Sequence, residues 1–137
     1  MGKKISELMT KNPRTVTADA TIAEAAKIMR DEDAGVVPIV DGGQLVGVIT
    51  DRDIALRAVA EGKGGETTVR DVASKDLVTV DPEQDLDEAL RLMAQHQVRR
   101  LPVVEEDGKL VGIVAQADVA RAGDEARTGK VVEKISK

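Results

Sequence analysis

Gly47-Val48-Ile49-Thr50-Asp51-Arg52-Asp53 reads as the end of a strand that breaks straight into a helix. Val46, Val48 and Ile49 are β-formers, in an apolar run short enough for a buried strand. Thr50, followed three residues later by Asp53 and then by Ile54-Ala55-Leu56, has the spacing of a helix N-cap box. The stretch returns as Gly112-Ile113-Val114-Ala115-Gln116-Ala117-Asp118. The copy is imperfect: Thr50 has become Ala115, whereas Asp53 survives as Asp118. A cap explains Thr50 with Asp53. It explains Asp118 less well, because Ala115 has no side-chain oxygen to cap with. For Asp118 there remain a favourable charge in the first helical turn and inheritance from a duplication.

Working outward, the duplication covers most of the chain. The shift is 64 positions from Pro38 to Pro102 and 65 from Gly47 to Gly112, since the second turn carries one extra residue. Under it Ile5-Ser6-Glu7-Leu8 meets Val69-Arg70-Asp71-Val72, Thr15-Val16 meets Thr79-Val80, and Met29 meets Met93. A unit of about 60 residues is too small to be comfortable alone, so the two copies packed together are the expected folding unit. The boundaries read as unit 1 over 5–61, a Gly-rich linker over 62–67, unit 2 over 68–123 and a charged tail over 124–137.

Each copy predicts the same order of elements. A short helical segment (5–9; 69–73) leads to a brief strand (14–17; 77–80). An amphipathic helix follows, started by the boxes Thr21 to Glu24 and Asp85 to Glu88. Its expected core faces are Ile22, Ala25, Ala26 and Met29 in one copy, and Leu86, Ala89, Leu90 and Met93 in the other. Two strands come next, 36–40 and 44–49 joined through Asp41-Gly42-Gly43, or 101–104 and 109–114 joined through Glu105-Glu106-Asp107-Gly108. A second helix (51–60; 116–122) closes each unit. The expected class is α/β (α+β): two tandem β-α-β-β-α units.

Composition narrows the chemistry. The 137 residues include no Phe, Tyr, Trp or Cys, so the core must be Val, Ile, Leu, Ala and Met. Disulfides, thiolate metal sites, thiol nucleophiles and stacking of bases on aromatic rings are thereby excluded. A net charge of −5 argues against a nucleic-acid partner. No apolar run approaches the ~20 residues of a membrane span. Met1-Gly2-Lys3-Lys4-Ile5-Ser6 matches the N-myristoylation pattern, but the repeat already accounts for the residues from Ile5 onward. A cytoplasmic protein without a membrane partner is expected. Ser occurs only at 6, 74 and 136, outside any nucleophile elbow, and His96 stands alone at a helix end. No catalytic group and no metal cluster emerge, so an enzyme is not expected.

A doubled unit with this order, the strands Val37-Pro38-Ile39-Val40 and Leu101-Pro102-Val103-Val104, and the Gly-apolar-apolar-Thr-x-x-Asp ending resembles the CBS domain pair. This is the cystathionine-β-synthase-type regulatory module, also called a Bateman module. The resemblance spans nearly all of residues 5–123, and HQVRRLPVVEEDGKLVGIV (96–114) is typical of bacterial stand-alone CBS-pair proteins. It implies units related by a pseudo-two-fold axis, a cleft between their sheets that takes an adenosine-containing nucleotide, and a disc-like homodimer. AMP, ADP or ATP is the expected regulatory ligand, with Mg admitted as a companion of the phosphates, and a regulated protein of unknown identity is the expected partner. NAD(H), S-adenosylmethionine and a cyclic dinucleotide remain alternatives. So does a ligand-free scaffold that acts only through protein contacts.

Carried over residue by residue, the resemblance implies a first cleft of Thr50, Arg52 and Asp53 with Val78, Arg99, Arg100, Leu101 and Pro102. Asp53 and Thr50 would hold the ribose, since an ionised Asp can accept from both diol hydroxyls. Val78 and Leu101 would flank adenine, while Arg99 and Arg100 would face phosphate. A second cleft would combine Ala115 and Asp118 with Arg14, Gly35, Val36 and Val37. It lacks the hydroxyl, and no arginine stands directly before its proline, so it is expected to be weak or empty. Ordinary surface roles compete: Arg99 and Arg100 also suit a helix C-terminus, and Arg52 could pair with Asp51 or Glu61.

Overall fold

The computed structural model describes residues 2–74 and 76–121. The expected tail over 124–137, and residue 122 of the expected last helix, lie outside them. The elements run α1 (Ile5–Leu8), β1 (Thr10–Lys11), α2 (Ile22–Glu32), β2 (Val36–Asp41), β3 (Gln44–Thr50), α3 (Asp51–Asp53) continuing as a π-helix (Ile54–Val59), α4 (Val69–Val72), α5 (Leu86–His96), β4 (Arg100–Val104), β5 (Leu110–Ala115) and α6 (116–121). The fold is mixed α and β, with two small antiparallel sheets, β2–β3 and β1–β5–β4.

Backbone hydrogen bonds come in pairs separated by the repeat shift, and these define the pseudo-two-fold relation. Val16 N–H donates to the Pro38 carbonyl at 3.1 Å, and Val80 N–H to Pro102 at 3.1 Å. Asp51 N–H donates to Gly35 at 3.0 Å, and Gln116 N–H to Arg99 at 2.7 Å. The expected strands over 14–17 and 77–80 are reduced to single parallel bridges, Val16 to Ile39 and Val80 to Val103. The hairpin turns meet across the axis, where Leu45 N–H donates to Gly108 and Leu110 N–H to Gly43, both at 3.1 Å. Gly42 and Gly43 have φ of 60° and 85°, the left-handed pair that a two-residue hairpin demands.

The sequence units and the cores do not coincide. Ile5, in the first copy, is fully buried among Val80, Leu86, Ala89, Leu101 and Val114 of the second. Val69, Val72 and Ala73, in the second copy, are buried among Ile22, Ala25, Val37 and Ile49 of the first. The exchange is reciprocal in the backbone too: Ile5 N–H donates to Gln84 and Val69 N–H to Ala20. β1 pairs with β5, and Ser74 bridges to Val48 in the corresponding place. Each leading segment thus completes the other copy's sheet, which explains why neither unit of about 60 residues has to close a core by itself.

The amphipathic helices are turned slightly from the expected face. Ile28 is buried in α2 and Ala26 is exposed; in α5 Leu90 is exposed while Leu92 packs partly on the core. The same correction in both copies reflects one docking angle on one kind of sheet. The start signals differ as well. Thr21 and Glu24 close a reciprocal capping box, whereas the Asp85 side chain makes no cap hydrogen bond.

Candidate functional site

The junction that opens α3 is a closed box. Asp53 N–H donates to Thr50 Oγ1 at 2.9 Å, and Thr50 N–H donates to Asp53 Oδ2 at 3.0 Å. Asp53 is buried, 7% exposed, and its Oδ1 receives the Ser74 hydroxyl at 3.3 Å. Arg57, one turn on, brings Nε to 3.9 Å from the same oxygen. Asp53 therefore stands behind Thr50 and Ser74 and backs a cleft without lining it.

That cleft has a volume of about 660 Å³, within the ~300–1,000 Å³ range of small-molecule sites. From the first copy come Met29, the segment Asp33-Ala34-Gly35-Val36, Val48 and Thr50-Asp51-Arg52. From the second come Ser74, Asp76, Leu77, Val78 and the run from Gln97 to Pro102. Of the residues named for the first cleft, Thr50, Arg52, Val78, Arg99, Arg100, Leu101 and Pro102 face one space and Asp53 does not. Its floor is aliphatic, and its charges are three arginines (52, 99, 100) and three aspartates (33, 51, 76). None of these six takes part in an ion pair among the described residues. Arg52 does not pair with Asp51 or Glu61 by side chain; its backbone N–H donates to Asp51 Oδ1 at 2.8 Å.

The residues expected in a second cleft are scattered. Val36 lines the first cleft, together with Gly35. Val37 is fully buried in the core, with no surface to offer a ligand. Arg14 lies 3.7 Å from both Asp31 and Glu32. Asp118 accepts from Ala115 N–H at 3.1 Å and from Arg121 at 2.7 Å. That geometry gives the retained Asp118 a structural reason: it performs half of a capping box with no partner hydroxyl. Asp33, Asp51, Ser74 and Asp76 were not anticipated as lining residues. The signal for Asp33 was the repeat itself, since 33–36 corresponds to 97–100 and the axis brings both segments to one cleft. Among the described residues no group of three or more His, Asp or Glu side chains is placed to hold a metal ion.

A family model for the CBS domain matches residues 5–59 and again 69–125. The chain belongs to the CBS domain family. It is a tandem CBS pair, the regulatory module of that family. It is 47% identical over 116 residues to the CBS domain-containing protein YhcV of Bacillus subtilis, covering 85% of this chain and 82% of that one. Among solved structures it resembles the CBS domain pair of MJ0100 in complex with methylthioadenosine and S-adenosyl-L-methionine. That match has a TM-score of 0.80 and 30% identity, and covers 90% of this chain and 98% of that chain. It also resembles CBSX2 in complex with AMP, with a TM-score of 0.79 and 26% identity, covering 92% of this chain and 99% of that chain. No helix of the described residues is long and apolar enough to cross a membrane.

Proposed function

We propose that this CBS pair is a non-catalytic sensor that binds an adenine nucleotide in the 660 Å³ cleft and signals to a partner protein. The observation that carries the reading is the cleft's composition: three arginines that form no ion pair among the described residues, beside a helix-initiating Thr and over an aliphatic floor. Guanidinium groups suit phosphate bidentately, and Val78 with Leu101 offers adenine apolar faces. Thr50 and Ser74 offer hydroxyls to ribose, and the Asp53 carboxylate directly behind them keeps acceptor capacity at Oδ1. The adenosine ligands of MJ0100 and CBSX2 support the same class. A Mg ion, where present, would arrive on the phosphates, because the described residues offer it no ready set of three ligands. Signalling requires that the nucleotide bind one conformation better than another. The exposed Leu56 and Val59 after the Thr50 junction are apolar surface through which a second copy or a partner could sense such a change.

The test is thermal unfolding of the intact chain with AMP, ADP, ATP and S-adenosylmethionine. A ligand at 100 times its dissociation constant should stabilise by about 2.7 kcal/mol. Asp53→Asn keeps a cap acceptor while removing the charge, so it should unfold close to wild type and lose the ligand shift. If none of the ligands moves the transition, the sensor reading fails and the scaffold reading takes its place.

A further inference from the structure

Resting on the nucleotide reading above, we infer that the cleft selects its ligand by charge, taking an adenosine monophosphate and rejecting the di- and triphosphate. Arg52, Arg99 and Arg100 make a cation set suited to one phosphate, but Asp33, Asp51 and Asp76 face the same space. Among the described lining residues the two signs balance, and once the arginines hold one phosphate each further phosphate brings its negative charge close to the carboxylates. Repulsion of the wrong ligand is a recognised source of selectivity.

The repeat shows that these carboxylates are not there for the fold. Under the shift, Asp33 corresponds to Gln97, Asp51 to Gln116 and Asp76 to Asn12, so every acid in the cleft has an amide as its counterpart. At two of the positions the backbone work is identical. Asp33 and Gln97 both end a helix in the left-handed conformation, with φ of 51° and 56°. Asp51 and Gln116 both donate their N–H to the residue just before the first strand of their own hairpin, Gly35 and Arg99. An amide meets these demands as well as a carboxylate, so the charge is surplus to structure. The missing side chain of Gly35 leaves Asp51 its place, since a Cβ there would lie 3.1 Å from Asp51 Oδ2. Each arginine likewise has no charged counterpart: Arg52 of the first copy matches Ala117, and Arg99 and Arg100 of the second match Gly35 and Val36.

The experiment is calorimetric titration of AMP, ADP and ATP in EDTA, so that the phosphates keep their full charge, on wild type and on D33Q/D51Q/D76N. D51Q alone serves if the triple variant does not fold. Wild type should bind AMP at least about tenfold tighter than ATP, the effect of like charges a few Å apart in a partly wet site. The variant should gain affinity for ATP and bring the ratio towards one. Wild type binding ATP as tightly as AMP, or a ratio unmoved in the folded variant, overturns the charge selection and leaves the nucleotide reading standing. Failure of all three nucleotides to bind overturns both.

Discussion

Thr50 and Ala115 hold the same place in two copies of one strand-to-helix junction, and the two junctions have diverged around a backbone that did not. In the first, hydroxyl and carboxylate close a reciprocal box, and Thr50 faces the cleft. In the second, Asp118 still accepts from the N-cap N–H, but its other oxygen turns to Arg121 and the junction faces no part of that cleft. A retained aspartate is therefore not in itself a ligand-binding signal; a cap is reason enough to keep it. What separates the copies is the set of side chains placed on a shared frame, and substitutions at matched positions measure how far that separation goes.

The largest effect is expected where the copies exchange segments. Ile5→Ala removes a fully buried side chain from the second core and should cost about 2–5 kcal/mol in urea unfolding. Its counterpart Val69→Ala should weaken the first core in the same single transition. A cost for Ile5→Ala below about 1 kcal/mol would show that α1 does not complete the second unit.

Next come the two glycines that precede the junctions. A Cβ on Gly112 would lie 2.6 Å from Met9 Sδ and 2.8 Å from the Thr10 carbonyl, whereas on Gly47 the nearest atom, the Ser74 carbonyl, is 3.4 Å away. Gly112→Ala should therefore cost about 1–3 kcal/mol through displacement of β1, and Gly47→Ala well under about 1. Equal costs would mean that the two edges are equally loose. A smaller effect tests the caps: Thr50→Ala should lose about 1 kcal/mol, and Ala115→Thr should gain a few tenths to about 1 by completing the second box. An Ala115→Thr variant no more stable than wild type would show that Asp118 prefers Arg121 to the cap.

These contrasts also show how much of the molecule was legible in the sequence. Element order and the repeat were, because apolar periodicity, capping residues and turn glycines act locally. The exchange of α1 and α4 between the two copies was not, since Ile5 and Val69 look alike and nothing in the chain says whose core receives them. The same blindness split Gly35 and Val36 from Arg99 and Arg100, although the axis brings all four to one cleft. Through the CBS resemblance, Val78, Leu101, Arg52, Arg99 and Arg100 were named as candidates from the sequence. Asp33, Asp51 and Asp76 were not, because solvated acids and cleft-lining acids have the same local sequence.

The smallest effect concerns the first turns of α2 and α5. Glu24 accepts from Thr21 N–H at 2.9 Å and so closes its box. Glu88, at the matching place, has no box to close and is held instead by Arg91, which donates to it at 2.6 and 3.1 Å. The Arg91 hydrogen bonds hold the Glu88 carboxyl below the ordinary glutamate value, and the carboxylate in turn raises Arg91. A carboxyl depressed in the folded state contributes stability above its unfolded value and loses it as pH falls through the folded one. The pair's contribution should therefore be present at neutral pH and be lost only in acid, below the ordinary glutamate range, and its exposure on the helix surface keeps it small. NMR titration of the Glu88 carboxyl should show the depressed value in wild type and its return to the ordinary one in Arg91→Gln. If Arg91→Gln leaves the titration unchanged, the depression comes from the helix N-terminus instead, and the two helices differ less than their hydrogen bonds suggest.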